Sequence, residues 1–489
     1  MILSVGVFLA YKTVKFILKK FEIQGNYTQD LLFIFGIIFT LSTPFIYERL
    51  MSQVHIAFGV FIFGLGFVYL LEFLEKDSKI NSEGQKKNNI KLYLSSFFFA
   101  LSVSIFPHAS VFIFLIGVFT FLLFFKKFSF TNIFISLIIF LIFNINWLLG
   151  NFFLHREERF NVVNTISTLD MANVEGFTQN SLSIIGVELT SFFGYGFWGE
   201  KYGHIYTPDN FLNLWPLFAI IIFIIIFIGF SVLYKKDKKL CIYFGILYIV
   251  FFILALGISS SLFSWFNTFL FKNIPYYIGM REPGKFLGML AIINIFLFLI
   301  GFWKVLLFLK KKNILDIENS KYDFSVVFIV MNLIFYAYNP AMLWGFKGQL
   351  QIVNFPQEYF ESKKFLEEKN EKINLIFPWH SYVACEWGTG KISYNIYPNI
   401  LDFSGTIQSD NIEIKTVYTN YNNPITKKVE KFLQTKDIKI LQELGVQNII
   451  FQDKCADYKN YRFLEKLDGL DKVFNKEYLK IYHIKYEKG

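Results

Sequence analysis

The stretch LWPLFAIIIFIIIFIGFSVLYKKDKK, Leu214 to Lys239, decides the fold class. Its first 21 residues carry no charge, more than the roughly 18 apolar residues that cross a bilayer. It then stops on four lysines. Working outward, apolar segments of the same kind fall at about 1 to 18, 31 to 45, 54 to 74, 92 to 106, 109 to 125, 130 to 149, 211 to 234, 240 to 257, 285 to 309 and 324 to 343. The 489-residue chain is 54% hydrophobic and only 18% charged, with a mean hydropathy of +0.43. This is no soluble protein around one large core. The expectation is a polytopic helical membrane domain of about ten spans over residues 1 to 343.

The net charge of +10 falls in short clusters between the apolar runs, so it reads as topology and not as a surface for nucleic acid. Lysines follow every second segment: Lys19 and Lys20; Lys76, Lys79, Lys86, Lys87 and Lys91; Lys126 and Lys127; Lys235 to Lys239; and Lys310 to Lys312. By the positive-inside rule these ends are cytoplasmic. The segments 47 to 53, 107 to 110, 150 to 210 and 258 to 284, and everything after about 344, are then extracytoplasmic. Met1 falls on the same outer side. The first apolar run has its lysines at the far end, the reverse of a signal peptide, which implies either a first helix with its N-terminus outside or a missing upstream helix.

After Leu343 the periodicity changes. QEYFESKKFLEEKN (Gln357 to Asn370), ITKKVEKFLQT (Ile425 to Thr435), DIKILQELG (Asp437 to Gly445) and YKNYRFLEKL (Tyr458 to Leu467) have helical spacing, and INLIF (Ile373 to Phe377), VQNIIFQD (Val446 to Asp453) and YLKIYHIKY (Tyr478 to Tyr486) read as strands. Residues 344 to 489 are expected to form a small extracytoplasmic α/β domain. Its near-balanced charge excludes a polyanion-binding module. Three cysteines make no disulfide framework: Cys241 sits at a cytoplasmic helix end, while Cys385 and Cys455 share the C-terminal region and pair only if the fold brings them together.

The polar residues with chemical interest lie at the ends of spans. In GMREPGKF (Gly279 to Phe286) Pro283 suits the first turn of a helix and Glu282 its cap. A helix N-terminus accepts phosphate or carboxylate, Arg281 adds a planar donor fork, and Lys285 adds a second cation. Two readings stand side by side: a seat for an anionic lipid-linked headgroup, or interfacial charges in which Arg281 or Lys285 pairs with Glu282. STPFIYERLMSQVHIAFG (Ser42 to Gly59) places Glu48, Arg49 and His55 at the mouth of two spans, either as an ion pair and a packed histidine or, for His55, as a titratable group on a polar cavity. LHREERF (Leu154 to Phe160) reads as a solvated turn. GYGFWGEKYGHIY (Gly194 to Tyr206) offers Glu200, Lys201 and His204 among aromatics, a mix that suits sugar rings and also an interfacial belt. His108, after Pro107, reads as a turn residue. No nucleotide-binding glycine loop, zinc spacing or nucleophile elbow is present, and GTGK (Gly388 to Lys391) lacks the placement of a phosphate loop.

Several of these pieces together resemble a known family. TPFIYERLMS (Thr43 to Ser52) is similar to the N-P-F-x-Y-x-R-L-x-x-G segment of the GT-C superfamily of multi-spanning membrane glycosyltransferases. NINWLL (Asn144 to Leu149) resembles their N-x-x-W-L, REPGKF (Arg281 to Phe286) their R-x-P-x-K-F, and LQELGVQNIIFQD (Leu441 to Asp453) the L-G-V-x-Y-hydrophobic strand of their outer C-terminal domain. The likeness points to YfhO-type proteins and the arabinofuranosyltransferase D-like group. The resemblance implies transfer of a sugar from a polyprenyl-phosphate-linked donor to a cell-surface glycan or lipid acceptor on the outer face, among membrane lipids and with no nucleic acid. It further implies a catalytic carboxylate in the first outer loop, which deprotonates the acceptor hydroxyl or positions a divalent cation. With Met1 outside, that loop would lie upstream, and the family's Asn and Gly are Thr43 and Gln53 here. Glu48 is then the remaining acidic candidate for the base. Arg281 and Lys285 would bind the donor phosphate, and Glu282, Arg49, His55, Glu200 and His204 complete the substrate-binding candidates. The missing acidic loop motivates the other class of function, a non-catalytic flippase or glycan-assembly scaffold.

Overall fold

Backbone polar groups buried in lipid must be satisfied within their own segment, so apolar segments fold as helices, and each of the ten apolar segments contains one. The structure, a computed structural model, describes residues 1–75, 82–149, 174–175, 177–179, 182, 185–202, 204–274, 277–369, 373–390, 392–401, 405–409 and 424–486. Among the described residues six helices are long and apolar enough to span a membrane, or seven if one bent pair counts as a single span. The expected ten spans are therefore corrected. Ile2–Phe21 carries Lys12, Lys15, Lys19 and Lys20 along its length, Ser82–Ile105 opens on a polar half, and the described apolar part of the 130–149 helix stops at Ile145. LHREERF lies outside the described residues.

The chain forms two compact units, residues 1–168 with 177–350, and residues 351–489 with 169–176. In the helical unit the helix Leu287–Lys311 is the core element, with every residue from Leu287 to Phe302 buried. A helix apolar on all faces is stable only when surrounded. Around it pack Trp215–Lys236, Asn26–Ser42, Lys238–Leu256 and Ile2–Phe21. Phe39 stacks on Phe298 at 4.6 Å, and Phe298 on Phe302 at 5.8 Å. Helix association inside lipid depends on close backbone approach through small residues, and the contact with Trp215–Lys236 is of this type. Gly229 faces the carbonyl of Leu297 while Gly301 faces that of Ile225, so neither position has room for a Cβ.

Described lysines from three of these clusters, Lys20, Lys91 and Lys127, make their contacts at one end of this unit. Lys20 pairs with Asp237 at 2.8 Å and lies 3.7 Å from Glu75; Lys91 pairs with Glu72 at 2.7 Å; and Lys127 donates to the carbonyl of Leu74. The other end holds a break in the chain. Asn26–Ser42 and Pro44–Ser52 meet at 48°, because Pro44 has no N–H to continue the helix. Thr43 restarts it by accepting from the N–H of Ile46 at 3.4 Å. Asn339 donates to the carbonyl of Ser42 at 2.9 Å, supplying a partner where the helix ends.

The second unit is α/β. Strands β1 (Ile373–Phe377), β2 (Tyr382–Val383), β3 (Ser393–Tyr394), β4 (Gly405–Ile407), β5 (Asn448–Gln452), β6 (Leu470–Asn475) and β7 (Leu479–Ile484) include a five-stranded sheet of order β4-β1-β5-β7-β6. β1 is parallel to both neighbours, and β7 is antiparallel to β5 and β6. Leu375, Phe377, Ile449 and Phe451 pack one face against Val429 and Phe432 of the helix Pro424–Thr435. The expected helix at Tyr458 is a 3₁₀ helix, Tyr458–Lys466. Cys385 and Cys455 form a disulfide, and Cys241 is a buried free thiol.

The glycine contact yields a test. Alanine is the better helix former by about 1 kcal/mol, yet Gly229→Ala or Gly301→Ala is expected to destabilise the detergent-solubilised protein by about 1 to 3 kcal/mol through overpacking. Gly245→Ala, where a Cβ meets nothing within 4 Å, is expected to hold or raise the thermal midpoint in the same unfolding measurement.

Candidate functional site

At the end of the helical unit away from the lysines, three segments far apart in sequence converge. The first is the short helix Pro44–Ser52, in which Glu48 and Arg49 are both fully buried. The second is the loop from Gly194, and the third is the start of the core helix. There Pro283 stands at the first position of a 3₁₀ turn, Pro283–Phe286, with Glu282 as its cap residue.

Glu282 is the hub. Its Oε2 accepts from Gln53 Nε2 at 3.1 Å and from the indole N–H of Trp198 at 3.2 Å, with an Arg49 nitrogen 3.9 Å away. Its Oε1 lies 3.3 Å from Lys285 Nζ. Burial alone would raise the pKa of this carboxyl, but the charges of Lys285 and Arg49, together with the Gln53 and Trp198 donors, bring it down to about 2. Lys285 also approaches His108 Nε2 at 3.3 Å, and the same nitrogen is 3.0 Å from the Gly279 carbonyl. That nitrogen serves one partner at a time, donating to the carbonyl or accepting from the ammonium. Burial first, and the Lys285 charge second, lower the His108 pKa to about 4, so the ring is neutral near pH 7.

Arg49 sits between this hub and a carboxyl pair. Its guanidinium lies 4.6 Å from the Phe197 ring and 5.5 Å from the Phe45 ring, and Nη1 donates to Gln53 Oε1, one helical turn away. Nε and Nη2 have no hydrogen-bond partner among the described residues. Gly284 closes on Nη2, where a Cβ would stand 3.2 Å away and 2.8 Å from Gln179 Oε1. Next along the helix, Glu48 Oε1 accepts the backbone N–H of Gly196 at 3.2 Å and of Phe197 at 3.4 Å. Gly196 presents those groups at φ +117°, a region that L side chains avoid. The Glu48 carboxyl also meets that of Glu200, itself buried. Two buried carboxyl groups that face each other favour sharing one proton, or holding a cation between them.

Of the residues singled out from the sequence, Glu48, Arg49, Glu200, Glu282 and Lys285 come together. Arg281 is half-buried, its guanidinium 5.0 Å from the Phe177 ring. His204 stands edge-on to Trp198 at 5.7 Å. His55 is exposed at the start of Val54–Glu75, near enough to Lys285, Glu282 and Arg49 to feel their charges. Lys285 is not an open helix-terminal cation, because Glu282 and His108 hold it. Sequence reasoning missed Gln53, Trp198 and Gln179, and read His108 as a turn. The spacing of Gln53 four residues after Arg49 is the one local signal for any of them. Among the described residues no group of three or more His, Cys, Asp or Glu is placed to hold a metal ion, leaving Glu48 and Glu200 as the two carboxyls that would share one.

The acid limb of stability follows from Glu282. Its folded pKa of about 2 lies below the ordinary 4.5, so between those values the unfolded chain binds more protons. The stabilisation is complete above about pH 4.5 and is lost as pH falls toward about 2. Glu282→Gln is expected to flatten that part of a pH-dependent unfolding curve and to cost about 3 kcal/mol at neutral pH, since it leaves Lys285 and Arg49 buried without their counter-charge.

No protein-family model matches the chain, and no curated protein does. Among solved structures it is similar to the cryo-EM structure of arabinofuranosyltransferase AftD from Mycobacteria, with a TM-score of 0.59 and 12% sequence identity over 100% of this chain. The chain spans 34% of the length of that protein. At this identity the likeness is one of fold alone, with no specific support for the YfhO-type group.

Proposed function

We propose that the chain is a membrane glycosyltransferase that moves a sugar from a polyprenyl-phosphate-linked donor to a cell-surface glycan or lipid acceptor at the outer face. The observation that carries this reading is Arg49, a fully buried guanidinium whose Nε and Nη2 lack partners among the described residues, set beside the Glu48–Glu200 carboxyl pair. A buried guanidinium is costly unless its donors are used, and a phosphate oxygen is the acceptor its planar fork fits.

The chemistry follows from the positions. Glu48, held by the Gly196 and Phe197 N–H groups, takes the proton of the acceptor hydroxyl, directly or with Glu200 as proton partner. The hydroxyl oxygen attacks the anomeric carbon, the bond from that carbon to the phosphate oxygen breaks, and the electron pair leaves with the phosphate. Arg49 and Arg281 stabilise the departing anion, and Lys285 tunes it through Glu282. A divalent cation between Glu48 and Glu200 would serve the same positioning role. Outer-face placement is supported by the lysines at the opposite end, and a Cys385–Cys455 disulfide in residues 351–489 supports an oxidising compartment for that unit.

A second reading, a non-catalytic flippase or assembly scaffold, draws on the Glu282 hub, since a carboxylate already neutralises Lys285 and Arg49. Turnover separates the two. Purified protein given a synthetic polyprenyl-phosphoryl sugar is expected to release or transfer the sugar. Glu48→Gln is expected to slow this by about 10² to 10⁴ with donor binding kept, and Arg49→Ala to weaken donor binding. Unchanged turnover in Glu48→Gln contradicts the assignment of the base. Binding without turnover in the wild type favours the scaffold.

A further inference from the structure

Toward the lysine-bearing end the helical unit carries an open apolar cavity of about 350 Å³, bounded by the helices Ser82–Ile105, Ala109–Phe124 and Phe130–Leu149. Leu92, Phe99, Ile116 and Phe140 line it. The cavity also reaches the surface, because its lining residues Phe121 and Leu137 are 54% and 51% exposed. Gly117 stands in its wall, and a Cβ built there meets nothing within 4 Å. The volume is more than twice the roughly 150 Å³ that holds benzene in an engineered apolar cavity. Elsewhere the same bundle is packed until backbones touch, as at Gly229 and Gly301. An unfilled void of this size forfeits dispersion contacts along its whole lining, and water has few polar partners there. An alkyl chain from the surrounding lipid restores those contacts.

The charge at one end says which lipid. Leu92 and Phe128 line the cavity next to Lys91 and to Lys126 and Lys127 in sequence. Lys91 is committed to Glu72 and Lys127 donates to the Leu74 carbonyl, whereas Lys126 is exposed. We infer that this cavity seats one acyl chain of an anionic phospholipid, whose phosphate lies against Lys126 on the lysine-bearing face. The site is separate from Glu48 and Arg49 and does not depend on the transferase reading.

The test is retention of lipid by the full chain. Protein reconstituted in nanodiscs of equal parts phosphatidylglycerol and phosphatidylcholine, then extracted in mild detergent, is weighed by native mass spectrometry. One phosphatidylglycerol per chain is expected to survive. Gly117→Phe, which fills the void where the backbone leaves room, is expected to lower that retention about tenfold or more, equivalent to about 1.4 kcal/mol. Lys126→Glu is expected to remove the preference for phosphatidylglycerol while a lipid is still retained. Thermal unfolding establishes that each variant is folded, and Ser136→Leu, a smaller filling of the same wall, replaces Gly117→Phe if that one is not. No retained lipid in the wild type, equal retention of the two lipids, undiminished retention in the filled variant, or a dimer covering this face in place of lipid would each overturn the inference.

Discussion

A carboxylate buried near the membrane surface is tolerated only if fixed charges and donors replace the water it gives up. Glu282 meets that condition with Lys285 on its own turn, Arg49 and Gln53 from Pro44–Ser52, and Trp198 from the loop. Arg49, Gln53 and Trp198 come from segments that could otherwise drift. The short helix is detached from its parent at Thr43 and Pro44, and its amphipathic sequence alone would let it slide along the interface. The Glu282 hub ties it to the start of the core helix Leu287–Lys311. Consequently the position of Glu48 and Arg49 is set by the core helix, although neither belongs to it.

The loop adds the second constraint. Gly196 turns the backbone so that two successive N–H groups meet Glu48, and Glu200, four residues on, brings a second carboxyl to the same place. Tyr195 donates to the carbonyl of Tyr338 at 2.9 Å, and Tyr338 donates to that of Phe193 at 2.6 Å, which clamps this turn onto the last spanning helix. A site built this way is tied to three segments and leaves Nε and Nη2 of Arg49 without partners among the described residues. Preorganised donors aimed at a developing negative charge are what a group transfer with an anionic leaving group needs.

Much of this architecture was legible in the chain. Uninterrupted apolar runs require helices in lipid, the lysine spacing placed their charged ends together, and Glu282-Pro283 marked the start of the core helix. The β1, β5 and β7 strands showed themselves by apolar runs; the three-residue β4 and the mixed-polarity β6 carried no such pattern. Among the described residues fewer helices than expected pass as spans, because helix length and apolarity are separate conditions, and Ile2–Phe21 satisfies only the first. Within the site, Glu48, Arg49 and Lys285 stood out as charges in apolar surroundings. Trp198, Gln179 and His108 did not, because their roles come from contacts made across the fold, not from any local pattern. For His55 two readings stayed open for a related reason: at the end of a span, the sequence does not distinguish the inward face from the outward one.

The central claim is that the unused donors of Arg49 are the seat of the donor phosphate. An experimental structure of the chain in a lipid nanodisc with a polyprenyl monophosphate tests it most directly. The account predicts phosphate oxygens about 2.7 to 2.9 Å from Arg49 Nε or Nη2, beside the Glu48–Glu200 pair. Phosphate bound away from Arg49, with those nitrogens turned to a protein or water partner, would contradict it.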